Sequence, residues 1–146
     1  MRITYAEKND ITLLATLFDK YRVFYDQKSD INKATEFLTS RLEKRDSVIF
    51  VARDNADIFG FAQLYPSFSS VGMKQIWILN DLFVSPEFRR QNIAKKLMQE
   101  ALNHAKNTGA LRIELASQVS NTLAQHLYAT MGYIKNESFY HYSLHL

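Results

Sequence analysis

The chain has 146 residues, enough for one domain with a sizeable core. Hydrophobic residues make up 47% and charged residues 23%, an ordinary globular balance, and a net charge of +3 without a long Lys/Arg run argues against nucleic acid as a partner. No cysteine is present, which excludes disulfides and thiolate chemistry, and no apolar segment approaches the ~20 residues that span a bilayer.

Met1 to Tyr5 has no signal-peptide pattern, and with the cysteine-free composition this leads us to expect a cytoplasmic protein. Arg2 to Ala6 reads as a first strand. Asn9-Asp10 offers a helix cap, and Ile11, Leu14, Phe18, Tyr21 and Tyr25 follow at helical spacing up to about Asp26. The segment from Tyr21 to Tyr25 is dense in aromatics. Its rings pack the core, or one or two of them, such as Tyr25, line a substrate mouth.

Asp30 can cap a second helix that carries Ile31, Ala34, Leu38 and Leu42 on one side. Val48 to Ala52 is a buried strand, Asp54 to Asp57 a hairpin turn, and Ile58 to Tyr65 the return strand, stopped by Pro66. Ser67 to Met73 reads as a loop. Gln75 to Val84 is the third strand of the run. Trp77 on that strand either packs the core or walls an acceptor pocket.

A turn at Ser85 to Phe88 and the basic pair Arg89-Arg90 precede the next helix. Its apolar stripe is Ile93, Ala94, Leu97, Met98, Ala101, Leu102 and Ala105. A helix start exposes unpaired N–H groups and the positive end of the macrodipole, and four basic residues surround this one, so it suits phosphate. Gly109 supplies a C-cap. Leu111 to Ala116 alternates like a strand. Asn121 begins a last helix, with Leu123, Ala124, Leu127 and Tyr128, and Gly132 closes it. Tyr133-Ile134 opens a final β section running through Phe139 to Leu146.

The order is strand, two helices, three strands, helix, strand, helix, strands. We read residues 1–146 as one α/β domain with a mixed sheet. The three meandering strands are antiparallel because their turns are short. The strands flanking the basic turn and its helix are parallel.

Two motifs point further. Arg89-x-x-Asn92-x-Ala94 resembles the (Gln/Arg)-x-x-Gly-x-(Gly/Ala) signature of the GNAT superfamily of acetyl-CoA-dependent N-acetyltransferases. Asn121-x-x-Ala124-x-x-Leu127-Tyr128-x-x-x-Gly132-Tyr133 is similar to a second segment of that family, at the family's order and distance. The strand Leu79-Asn80-Asp81-Leu82-Phe83-Val84 is similar to the Leu-Glu-Asp strand of diamine acetyltransferases and some histone-acetylating relatives. Asn92 replaces the usual glycine, and Asn is the residue next most tolerant of positive φ. Asn80 replaces a glutamate, and an amide positions water but accepts no proton.

The resemblance implies the GNAT fold, β-α-α-β-β-β-α-β-α-β-β, with a bulge that splays the third strand of the run from its parallel neighbour. It implies that acetyl-CoA pairs along Leu82, Phe83 and Val84. Its pyrophosphate would lie on Arg89, Arg90 and the amides of Gln91, Asn92, Ile93 and Ala94, with Asn121 on the pantetheine arm. Tyr128 would protonate the leaving sulfur. Asp81, with Asn80 beside it, serves as base through water, or Asp81 only anchors the sheet. Transfer to a primary amine would be direct, within a ternary complex. The acceptor would be a small amine, a polyamine or a lysine, and the family often forms homodimers. Asn80 and Asn92 also permit a non-catalytic acyl-CoA sensor on the same fold. His104, His126, His141 and His145 lack ligand spacing, so no metal is expected. Four glycines cannot write a P-loop or dinucleotide fingerprint.

Overall fold

Five strands and four helices form along the chain. A computed structural model describes residues 1–146. In order they are β1 (Arg2–Tyr5), α1 (Ile11–Phe24), α2 (Ile31–Lys44), β2 (Val48–Arg53), β3 (Ile58–Ser69), β4 (Lys74–Val84), α3 (Ile93–Asn107), β5 (Ile113–Glu114) and α4 (Thr122–Thr130). The chain divides into two compact units, Met1–Leu115 and Ala116–Leu146.

The first unit holds the sheet, in the order β1-β2-β3-β4-β5. The first three pairings are antiparallel and β4–β5 is parallel; the short turns predict the β2–β3 and β3–β4 pairings, and the crossover through α3 predicts the parallel one. One face carries α1 and α2. Leu14, Phe18, Ala34 and Leu38 pack there with Ile49, Val51, Phe61 and Phe83. The other face carries α3. A Cβ on Gly60 would sit 3.3 Å from Ile93 and 3.4 Å from Leu97, so glycine lets this helix lie close on β3. His104 of α3 meets Phe50 and Trp77 edge-on.

Local signals explain most boundaries. Asp30 Oδ1 accepts the Lys33 N–H at 3.0 Å and caps α2. Asp54 Oδ1 accepts the N–H groups of Ala56 and Asp57, closing the β2–β3 hairpin. Helix α3 ends in a Schellman motif: Gly109 at φ +71° sends its N–H to Lys106, and Ala110 sends its own to Ala105.

Four sequence expectations change. Pro66 does not stop β3, which continues to Ser69 opposite β4. Pairing with β2 ends at Leu64, so Pro66 lies where β3 has one neighbour only, and there a missing N–H is tolerated. Asp10 does not cap α1. Its carboxylate instead accepts the Glu7 N–H and the Arg53 guanidinium, at 2.8 and 2.6 Å, and is buried. β5 is two residues long rather than the six from Leu111 to Ala116. The terminal strands after Tyr133 do not form, and Phe139, Tyr140 and Tyr142 are exposed. Aromatic composition signals tolerance of a pleated surface, but a strand also needs a neighbour to bond.

In the second unit, Asn121 Oδ1 accepts the Ala124 N–H at 3.2 Å and caps α4. Gly132 at φ +93° ends it in a second Schellman motif, with Gly132 N–H on Ala129 and Tyr133 N–H on Tyr128. The Tyr128 and Tyr133 rings meet with centroids 6.2 Å apart.

Candidate functional site

The centre of the first unit's site is a break in the β4 ladder. Gln63 pairs with Asp81 and Leu64 with Leu79, so Asn80 is the extra residue of a bulge. Side chains alternate along a strand, so one added residue reverses the phase. Before the bulge, Trp77 faces α3. After it, Phe83 faces α1. The bulge also turns Asp81 toward α1 and leaves Asn80 exposed.

Asp81 is only 6% exposed yet well satisfied. Its Oδ1 accepts from the Tyr21 phenol at 2.8 Å and from Asn80 Nδ2 at 3.0 Å. Its Oδ2 accepts from Gln63 Nε2 at 2.8 Å. Ser47 Oγ in turn donates to Gln63 Oε1 at 2.9 Å. A carboxylate offers about four lone-pair positions, so about one remains. Burial, and then the charge of Asp81, push the Tyr21 phenol far above its ordinary range. Tyr21 is thereby kept as a donor. The same two causes push Tyr65 up to about 12.

Rings surround this acid. Tyr21 meets Phe61 and Phe83 edge-on, with centroids 5.5 and 5.7 Å away. Tyr25 lies against Tyr21 at 5.2 Å and against Phe24 at 5.2 Å, and remains exposed. Tyr25 thus sits beside the ring that holds Asp81. Trp77 does not join them. It is buried, its ring lies 5.0 Å from His104, and its indole N–H donates to Thr108 Oγ1 at 2.9 Å. Of the two readings of Trp77, the packing selects the core.

Two features continue from the bulge toward α3. β4 pairs with β5 only at Trp77 and Ile78, so beyond Ile78 that side of β4 has no strand neighbour. Leu82, Phe83 and Val84 lie in this stretch. The turn that follows has two left-handed residues, Arg90 at φ +64° and Asn92 at φ +59°. Asn92 stands where the signature has glycine, and it takes the backbone angle for which glycine is suited. Its side chain does not cap α3, leaving the first-turn N–H groups without an intrahelical or side-chain partner. Arg90, Gln91 and Asn92 are exposed, Ile93 is buried and Ala94 is half-buried. Arg89 turns back: its Nε donates to the Val84 carbonyl at 3.0 Å, and its guanidinium lies over Phe24 and Phe83 at 5.8 and 5.5 Å.

Asn121 and Tyr128 belong to the second unit. Asn121 spends its side-chain oxygen on the α4 cap, and Tyr128 is half-buried beside Tyr133.

Sequence reasoning missed Tyr21, Gln63 and Ser47 as partners of the acid. One signal was present. Gln63 interrupts an apolar strand, and a polar side chain buried in such a run needs a bonded partner.

The model of the acetyltransferase (GNAT) family matches residues 12–133. The chain belongs to the GNAT family. Among its relatives, this GNAT chain is 43% identical to the uncharacterized N-acetyltransferase YhfO of Bacillus subtilis (strain 168), over 100% of its own length and 98% of the relative's. It is 28% identical to the thialysine N-epsilon-acetyltransferase of Caenorhabditis elegans, over 83% of its length and 75% of that protein's. A crystal structure of a probable acetyltransferase superposes with TM-score 0.93 at 41% identity, covering 100% of this chain and 98% of the other. The protein is therefore an N-acetyltransferase, and its mixed sheet with flanking helices is the GNAT fold. No helix in it is long and apolar enough to cross a membrane.

Proposed function

We propose that this GNAT enzyme transfers acetyl from acetyl-CoA to a primary amine by direct attack in a ternary complex, in one catalytic domain spanning residues 1–146. The family match runs through both compact units, which supports the single domain. The observation that carries the reading is the bulge at Asn80, with β4 parting from β5 just before it.

The residues fit acetyl-CoA. Pantetheine carries amides, and the edge of β4 without a strand neighbour offers backbone groups along Leu82, Phe83 and Val84 to pair with them, the Val84 carbonyl excepted because Arg89 holds it. Left-handed residues in a turn help successive N–H groups converge on an anion. Arg90, Gln91, Asn92, Ile93 and Ala94 would hold the pyrophosphate at this turn, with added charge from Lys95 and Lys96. We assign Arg89 a supporting part, since it is bonded to Val84. Asn121 retains its amide N–H groups for the pantetheine arm. Bound there, acetyl-CoA supplies an acyl group on a good leaving thiol.

The chain's own residues do the rest. Asn80, exposed at the bulge, accepts from the incoming ammonium through its amide oxygen. Asp81 takes the proton through water at its remaining lone pair, and its three donors keep it aimed. Tyr25 borders the amine's entry. Tyr128 gives a proton to the departing sulfur. No cysteine exists to carry an acyl group, which supports direct transfer. We place the enzyme in the cytoplasm as a homodimer, with the exposed rings of Phe139, Tyr140 and Tyr142 supporting a subunit contact.

Incubation with acetyl-CoA and a panel of primary amines, scored for free thiol, tests the proposal. The expected result is amine-dependent thiol release that saturates in each substrate, with intersecting double-reciprocal lines. Cofactor binding without release for any amine overturns it.

A further inference from the structure

A line of polar side chains crosses the middle of an apolar sheet. Ser47 immediately precedes β2, Gln63 lies on β3 and Asp81 on β4. The Ser47 hydroxyl donates to Gln63 Oε1 at 2.9 Å, and Gln63 Nε2 donates to Asp81 Oδ2 at 2.8 Å. Gln63 has no exposed surface, and its chain neighbours Ala62 and Leu64 have none either. An amide so placed is stable only with both its ends bonded.

The two oxygens of Asp81 are not equivalent. Oδ1 accepts from the Tyr21 phenol and from Asn80 Nδ2, which fills its two lone pairs. Oδ2 accepts from Gln63 alone. The open lone pair of the carboxylate therefore belongs to Oδ2, and the Gln63 bond sets the direction in which it points. Gln63 is in turn held at its far end by Ser47. That serine is itself placed by the turn out of α2, where Arg45 takes φ +51° and Asp46 pairs with Arg41 at 2.8 Å. A continuous chain of contacts thus runs from an ion-paired turn to one oxygen of the buried acid.

We propose that Oδ2 is the atom of Asp81 that receives the acceptor's proton, and that Ser47 and Gln63 are positioning residues for this transfer. The inference rests on the proposed role of Asp81 as base. In the step, one N–H bond of the ammonium breaks and its proton passes to water. The water gives one of its own protons to Oδ2. The nitrogen keeps the electron pair, which then attacks the thioester carbon. Ser47 does not touch Asp81 and acts only through the amide. With the amide loosened, the carboxylate can turn about its Cβ–Cγ bond, and the open lone pair leaves the line of the water.

The test uses Ser47→Ala, Ser47→Thr, Gln63→Leu and Asp81→Asn. Thiol release is followed with acetyl-CoA and whichever of putrescine, lysine and 2-phenylethylamine the wild type acetylates fastest. Ser47→Ala should lower kcat by about threefold to tenfold and Gln63→Leu by about tenfold or more, with both KM values within about twofold. Ser47→Thr, which keeps the hydroxyl, should stay within about twofold of the wild type in kcat. The solvent deuterium isotope effect on kcat should rise in Ser47→Ala and Gln63→Leu, because a misaligned proton transfer takes a larger share of the barrier. A residue needed only for packing would lower the melting temperature and leave the isotope effect alone. Should Gln63→Leu fail to fold, the half-buried Ser47 pair decides. Losses confined to KM, an unmoved isotope effect, or wild-type kcat in Ser47→Ala overturns the inference, and an inactive Asp81→Asn then still upholds the base. Wild-type turnover in Asp81→Asn removes the base and the inference together.

Discussion

The Tyr21 phenol donates to Asp81 Oδ1 at 2.8 Å, joining a helix and a strand that lie 60 residues apart in sequence. This bond ties α1 to the sheet. Burial and the neighbouring carboxylate both oppose ionisation of the phenol, so its raised pKa adds stability that is fully present below pH 10 and is lost as pH rises beyond it. Tyr21→Phe should cost about 1–3 kcal/mol in urea unfolding, because a buried carboxylate loses a donor. It should also lower turnover about tenfold across the pH–rate profile, as Asp81 loses one of the three donors that aim it. An unmoved profile would separate Asp81 from proton transfer.

Tyr128→Phe removes one hydroxyl. Turnover should fall about 10²–10⁴-fold, the usual contribution of a positioned acid, while the Kd for CoA changes little. Stopped-flow thiol release and calorimetry on the same preparation check it. Equal losses in affinity and rate would make Tyr128 a packing residue.

Asn92 holds φ at +59°. Asn92→Gly should leave stability and CoA affinity near their starting values. Asn92→Val should cost about 1–2 kcal/mol, the penalty of a side-chain clash in the left-handed region, and should weaken CoA binding. Thermal unfolding with and without CoA reads both effects. Equal behaviour of the two variants would dissociate the turn from the anion.

Asp19 is held below the ordinary carboxylate range by the Ser29 hydroxyl first and by the Asp30 N–H, against the opposing effect of burial. A lowered pKa gives stability that is present above 3.8 and lost as pH falls through the folded value. Asp19→Asn should therefore destabilise at neutral pH by about 1–3 kcal/mol and flatten the decline below pH 3.8. Acid titration of ellipticity for both proteins tests this.

Much of this fold is legible in the sequence. Helix and strand order followed from apolar periodicity, and Asp30, Gly109 and Gly132 marked ends by chemistry that is local to a few residues. The left-handed angle of Asn92 was legible from the glycine it replaces in the signature, together with the tolerance of asparagine for positive φ. The spacing of Tyr128, Gly132 and Tyr133 now has a structural account as well. In a Schellman motif the first and last of these are the pair that makes the apolar contact. What stayed hidden depends on distant partners. The Asp81 donors come from α1 and β3, and no period in the sequence announces a bond between them. The missing terminal strands fail for a related cause: composition specifies a willing strand, not its neighbour. The bulge was expected from the resemblance alone, since periodicity in β4 reads almost equally well in either phase.

β4 is in effect two short strands of opposite parity spliced at Asn80. Losing that single codon would leave Leu79 opposite Leu64 and Asp81 opposite Gln63 in an unbroken ladder, so Asp81 would stay under Tyr21 while the exposed amide and the local bend of the strand both vanished. Point substitution can retune the chemistry at this splice and keep the bend, whereas loss of the residue removes the bend itself.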